Sequence, residues 1–100
     1  MVSKHTYYGF KLEDAVRGLK RALRDRDIPI VSICERNNEI VLTIDLASEL
    51  GDIIMVYHKT TETHPLSKLG DIPMIDVVVD DKFTTDLRPI LTMAFLRGGG

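Results

Sequence analysis

One segment near the start of the chain limits its possible folds more than any other. Six apolar residues recur there at the three- and four-residue spacing of a helix with one buried side: Leu12, Ala15, Val16, Leu19, Ala22 and Leu23. Glu13 and Asp14 fall in the first turn of this segment and basic residues in its last two turns, which stabilises a helix through its dipole. The pattern predicts an amphipathic helix over residues 12–24, and its apolar side requires a second layer to cover it.

One glycine interrupts this predicted helix. Gly18 lies near its middle, where glycine costs about 1 kcal/mol relative to alanine. Close packing is one reason for a glycine at such a position, so we expect Gly18 to lie against a sheet.

The segment at residues 28–46, IPIVSICERNNEIVLTIDL, has the pattern of a β-hairpin. Asn37 and Asn38 mark its turn, because asparagine tolerates the positive φ angles of a tight hairpin turn. If Arg36 lies opposite Glu39, the register of all the other cross-strand pairs in the hairpin follows. The predicted apolar pairs are Ile33 with Leu42 and Val31 with Ile44, and the predicted pairs on the other face are Cys34 with Val41 and Ser32 with Thr43. One apolar and one mixed face are typical of an antiparallel sheet covered on one side.

Three further segments have strand character. They are residues 3–10, residues 53–59 and residues 72–81. The last of them places Ile75, Val77 and Val79 on one face, which predicts a strand with one buried side.

Two connections carry their own signals. Residues 45–52, DLASELGD, predict a single helical turn with Asp45 as its N-cap and Gly51 at its end. Residues 60–71 are polar and contain Pro65, so they predict a loop of a length that is often functional.

The C-terminal segment predicts a second helix. Apolar residues at helical spacing are Leu87, Ile90, Leu91, Ala94 and Phe95. Asp86 would cap its start, Pro89 would be its third residue, and Gly98 would end it. A strand is the alternative, because apolar residues also alternate here. Since Met93 and Leu96 lie off the main apolar stripe, we expect a homodimer contact formed by Ile90, Met93 and Leu96.

These elements predict one domain over residues 1–100 with an α+β fold. We expect a two-layer sandwich in which a mainly antiparallel sheet of about five strands carries the long helix on one face, with element order β-α-β-β-β-β-α. A ferredoxin-like βαββαβ core is one specific version of this arrangement.

Composition excludes several classes of protein. Apolar residues make up 44% and charged residues 28% of the chain, as in ordinary globular domains, and no apolar run is long enough to cross a bilayer. We therefore expect no membrane partner. The single cysteine, Cys34, cannot form an internal disulfide and no leader pattern precedes the first charges, so we expect a reducing, cytoplasmic setting.

The most coherent polar feature is a row of cations on the first predicted helix. Arg17, Lys20, Arg21 and Arg24 share the side opposite its apolar stripe, and Tyr7 precedes them in the chain. Such a row can neutralise phosphates while a nearby tyrosine stacks on a base. The alternative is a solvated helix face on which Glu13 pairs with Arg17. The row favours a small non-catalytic, self-associating protein that binds a protein or a nucleic acid.

A second hypothesis assigns an enzymatic role. Asp71, Asp80 and Lys82 approximate the spacing in metal-dependent nucleases and phosphodiesterases, where two carboxylates hold Mg²⁺ and a lysine polarises the attacking water or the phosphate. The same residues also read as a charged strand end that leads into a turn.

Metal and cofactor signals are otherwise weak. His5, His58, His64 and Cys34 stand at no recognised ligand spacing, and no glycine-rich phosphate loop occurs. We therefore expect no bound metal and no cofactor, and a buried, unreactive thiol at Cys34.

The chain ends in Leu96, Arg97 and three glycines, and this LRGGG sequence resembles the Leu-Arg-Gly-Gly end of ubiquitin-like modifiers. The resemblance covers five residues and implies a conjugation tail whose terminal carboxylate is activated and transferred. The family opens with a hairpin followed by a helix, whereas a single strand precedes the helix here. A helix stop and a cloning remnant are the other readings of the glycines.

Overall fold

The computed structural model describes residues 1–59 and 73–95, and in this part of the chain the amphipathic helix covers a five-stranded sheet. The sheet order is β1-β5-β4-β3-β2, and every neighbouring pair is antiparallel. The elements are β1 (Val2–Tyr8), α1 (Leu12–Asp25), β2 (Ile30–Arg36), β3 (Glu39–Leu46), β4 (Glu49–Lys59), β5 (Pro73–Asp80), a 3-10 turn (Asp81–Phe83) and α2 (Thr84–Phe95).

The predicted α+β class and the order β-α-β-β-β-β-α are confirmed. The ferredoxin-like version would reach its last strand through a second crossover helix. Instead β4 and β5 are antiparallel neighbours, and α2 follows β5 in the chain.

Helix α1 forms where its apolar spacing predicts it. Its buried residues are Ala15, Leu19, Ala22 and Leu23. They pack into one core with the inward side chains of the three central strands and of α2. The helix ends at Asp25, after which Asp27 adopts a positive φ of 56° and the chain turns back toward β2.

Gly18 lies against helix α2 and not, as was expected from the sequence, against the sheet. A Cβ atom at this position would lie 2.8 Å from the carbonyl oxygen of Ala94 in α2. The glycine therefore lets the two helices approach each other, rather than letting α1 approach the sheet.

The hairpin of β2 and β3 confirms most of the predicted register. Arg36 lies opposite Glu39, and the pairs that follow agree through Ser32. The pairing of Val31 with Ile44 is wrong, because the register shifts between Ile30 and Ser32 and Ile30 takes the place opposite Ile44. An extra residue of this kind is a β-bulge, which bends an edge strand and strengthens its twist.

The helical turn predicted at residues 45–52 is also wrong. This segment is a tight hairpin turn between β3 and β4, in which Ala47 and Ser48 have φ angles of 54° and 75°. The Ser48 N–H donates to Oδ1 of Asp45 at 2.8 Å, so the predicted cap stabilises a turn instead of a helix. Gly51 then continues in β4, where a Cβ atom would lie 2.9 Å from the ring of Phe83.

Helix α2 confirms the helical alternative for the C-terminal segment and begins earlier than predicted. The chain enters it directly from the 3-10 turn, in which the Asp80 side chain accepts the Lys82 N–H, and α2 begins at Thr84. Pro89 consequently lies inside the helix and not at its third residue. The predicted stop at Gly98 lies outside the described residues.

Candidate functional site

The cations of α1 form a surface that we call the basic face: Arg17, Lys20, Arg21 and Arg24. All four residues are exposed, because the opposite side of α1 is buried in the core. Arg17 pairs with Asp14 at 3.4 Å and not with Glu13. Lys20, Arg21 and Arg24 form no ion pair with any residue in the described part of the chain. Three cations are thus available to an anionic partner.

Tyr7 is already engaged elsewhere. Its partner Ile75 in β5 is buried, so Tyr7 lies on the helix-covered side of the sheet. Its ring stacks on Phe95 with ring centroids 4.0 Å apart. Burial raises the pKa of the Tyr7 hydroxyl. The residue predicted to stack on a base therefore supports the packing of α2 onto β1.

Two separate cavities lie beside α1, one near each end of the edge strand β2. The first, of about 390 Å³, lies beside the start of β2 and is lined by Lys20, Arg24, Asp27, Ile28, Pro29 and Ile30. The second, of about 440 Å³, lies beside the β2–β3 turn and is lined by Lys11, Leu12, Glu13, Glu35, Asn37, Asn38, Ile40 and Tyr57. The basic face thus borders the first cavity, and two acidic residues border the second.

The opposite side of the sheet has no helix over it in the described residues, and it carries a hydrogen-bonded polar cluster. Thr6 donates its hydroxyl to Oδ1 of Asp76 at 2.6 Å, and Nε2 of His58 donates to Oδ2 at 3.0 Å. Partial burial would raise the pKa of Asp76, but the bonds from Thr6 and His58 and the nearby charge of Lys4 together lower it below its usual value.

This cluster gives a pH prediction. Replacing Asp76 by Asn is expected to lower the free energy of unfolding by about 1–2 kcal/mol at neutral pH, because charge-assisted bonds to a carboxylate are lost. Since the pKa of Asp76 is depressed in the folded state, its contribution is present above about pH 4 and is lost as the pH falls through the folded value. Urea unfolding of both proteins across the acid range measures this difference.

Asp52 provides the control for this comparison. It accepts one threonine hydroxyl, from Thr43 at 2.7 Å, but no imidazole. Asp52→Asn should therefore cost less than Asp76→Asn. A gap between Asp76→Asn and the natural protein that stays constant down to pH 2 would contradict the assigned role of Asp76.

The structure describes two of the three residues of the nuclease hypothesis. Asp71 lies outside the described residues. Asp80 accepts the Lys82 backbone N–H, and Nζ of Lys82 donates to Glu49 at 2.8 Å. Asp80 and Lys82 line a groove of about 420 Å³ that also contains Asp52. Within the described residues no three His, Cys, Asp or Glu side chains come together as a metal site would require.

The three residues expected at a homodimer contact have different positions. Ile90 is completely buried in the core and offers no surface to a partner while this fold is intact. Met93 is 55% exposed on the outer side of α2. Leu96 lies outside the described residues, as does the remainder of the LRGGG tail.

Sequence reasoning missed two features of the surface. Cys34 was expected to be buried, yet it is exposed because β2 is the last strand of the sheet. The cluster around Asp76 was also missed, although polar residues at alternate positions of β1 and β5 were its signal in the sequence.

The described helices include none that is both long and apolar enough to cross a bilayer. The chain opens with a single strand followed by a helix, unlike the hairpin and helix of ubiquitin-like modifiers. No family model matches the sequence, and no curated protein or solved structure matches it significantly.

Proposed function

We propose that this protein is a small non-catalytic domain that self-associates and binds an anionic partner, a nucleic acid or an acidic protein surface, through the basic face of α1. One observation carries the proposal: Lys20, Arg21 and Arg24 are exposed side by side without an ion-pair partner among the described residues. A cation that is not neutralised within its own chain can neutralise a phosphate or a carboxylate of another molecule.

The distribution of charge supports binding at one face rather than over the whole surface. The chain has a net charge of −2, but residues 1–24 contain six basic and two acidic residues. On the uncovered side of the sheet, acidic residues outnumber basic ones among the positions that alternate with the core residues. An anionic partner is therefore attracted to α1 and repelled from the sheet.

Self-association as a homodimer and a cytoplasmic setting belong to the same proposal. Apolar side chains remain exposed on β2 and at Met93, and association of two copies would bury such groups. Cys34 is exposed in a chain with no second cysteine, so a reducing compartment would keep it as a thiol.

The anionic partner is tested with the double variant Arg17→Ala/Arg21→Ala. Binding to fluorescent single-stranded and duplex oligonucleotides, and to polyglutamate, is measured by anisotropy over a range of salt concentrations. We expect affinity to fall by about tenfold, with a salt slope lower by about 2, since each lost phosphate contact removes about one unit of slope.

The control Lys82→Ala/Arg88→Ala changes the net charge equally at exposed residues that lie outside the basic face and outside β2. It should bind as the natural protein does. If both double variants lowered the affinity equally, the loss would follow from net charge alone. That outcome would contradict a defined binding face. A natural protein that binds none of the three probes would overturn the proposal.

A further inference from the structure

The two edges of the sheet differ in a way that concerns self-association. At the β1 edge, the four consecutive residues from Ser3 to Thr6 are polar, and Lys4 is charged. Charged and polar residues of this kind protect an edge strand from pairing with another chain. At the β2 edge, Val31 and Ile33 are 56% and 41% exposed, and Cys34 is exposed beside them. The β2 edge lacks this protection over its central residues.

On the helix side of the sheet, a row of buried side chains ends at β2 with an exposed residue. Ile33 continues the buried row of Ile53 and Leu42 on the helix side, so its inner neighbours are completely covered while it is not. Among the described residues, only β3 pairs with β2, and the outer edge of β2 has no strand partner. The core thus stops abruptly at β2, where another strand would extend it.

The two cavities beside β2 indicate which kind of strand could pair with it. The cavity near the start of β2 has Lys20 and Arg24 against one acid, Asp27. The cavity near the β2–β3 turn has Glu13 and Glu35 against one base, Lys11. The start of β2 is therefore flanked by net positive charge and its end by net negative charge, and Ile33 is the middle residue of the strand.

We propose that two copies of this chain pair through β2 in antiparallel orientation, about a two-fold axis near Ile33. This inference rests on the self-association in the proposed function and names its surface. A two-fold axis reverses the direction of the second strand, so the positive cavity of each copy meets the negative cavity of the other. Glu35 of each copy then lies near Lys20 and Arg24 of the second copy. The same pairing joins the sheets and covers Ile33 with its counterpart.

The arrangement also has a consequence for the basic face. An axis perpendicular to the joined sheet keeps both α1 helices on one side of it. In the dimer Lys20 and Arg24 face the junction with Glu35 of the second copy. The outward residues Arg17 and Arg21 of both copies form one larger cationic surface for the anionic partner. A long anionic partner would engage both copies at once, and this raises its apparent affinity without new contacts.

Sedimentation velocity over a concentration series tests the interface with the full chain. Ile33→Lys places two like charges opposite each other at the axis and should raise the dimer dissociation constant at least about 100-fold. Val2→Lys is the matched control, because Val2 is an exposed apolar residue on the opposite edge strand. It should leave the dissociation constant unchanged, and circular dichroism confirms that both variants remain folded.

Charge-reversal variants test the same interface without a substitution at Ile33. Glu35→Lys alone and Lys20→Glu/Arg24→Glu alone should each dimerise weakly, because each creates two repulsive junctions. An equimolar mixture should form a heterodimer, in which both junctions again join opposite charges. Restoration in the mixture supports strand pairing in this orientation, and its absence overturns it.

The outcomes separate this inference from the proposed function. A natural protein that stays monomeric over the whole concentration range overturns self-association and the β2 interface together. A dimer that survives Ile33→Lys overturns the β2 interface alone. Oligonucleotide anisotropy of the Ile33→Lys monomer, whose basic face is intact, measures binding of an anionic partner by a single copy. This result does not depend on self-association or on the β2 interface.

Discussion

Replacing Ile90 by Ala is expected to lower the free energy of unfolding by about 2–5 kcal/mol, because a completely buried branched side chain leaves a cavity in a packed core. Ile90 lies in α2 and faces the core shared by the sheet and α1. Urea denaturation followed by circular dichroism measures the change. The size of the loss depends on how far the surrounding side chains close the cavity.

Met93 supplies the control for this substitution. It lies three residues later in the same helix and is exposed, so Met93→Ala should change the free energy of unfolding by less than about 0.5 kcal/mol. Similar losses for the two variants would mean that α2 does not present the assigned side to the core. Performing both measurements below the dissociation constant of any dimer keeps association out of the comparison.

Replacing Gly18 by Val should have the second large effect, a loss of about 3 kcal/mol in the free energy of unfolding. The new Cβ would lie 2.8 Å from the Ala94 carbonyl oxygen, and backbone atoms cannot move aside as a flexible side chain can. The two helices would have to separate, and separation loosens the packing of α2 on the core. Thermal and urea unfolding both register the change.

Arg21→Val separates this clash from helix propensity. Arg21 is exposed on the same helix, so the substitution introduces the same β-branched residue without the clash and should cost about 0.5 kcal/mol. Gly18→Ala should be intermediate, since alanine favours the helix by about 1 kcal/mol but still contacts the carbonyl. A Gly18→Ala protein more stable than the natural one would contradict the close approach of the two helices.

The two predicted hairpin strands illustrate how far local pattern can be followed. The alternation of β2 and β3, together with two asparagines, set the register from Arg36 to Ser32 correctly, because a one-residue slip would expose the apolar face. The prediction failed at Val31, where a bulge lets the strand bend. A bulge reflects how an edge strand meets its surroundings, and alternation alone does not reveal it.

The turn at Ala47 and Ser48 shows a different limit. Neither residue favours positive φ, and Asp45 at the start of a short segment that ends in glycine is as typical of a helix cap as of a turn. The long strands β3 and β4 decide between the two, since their full pairing from Leu46 to Glu39 requires a two-residue connection. The basic face, in contrast, followed from helical spacing, and the exposure of β2 did not.

The sequence by itself determined the element order, the buried side of α1 and the row of cations opposite to it, because helical and strand periodicity are properties of neighbours along the chain. Only the tertiary structure decided that Gly18 meets Ala94, that β2 is an edge strand with Ile33 and Cys34 exposed, and that Thr6, Asp76 and His58 come together. These features depend on which strands become neighbours in the sheet, and contacts between distant residues set that order.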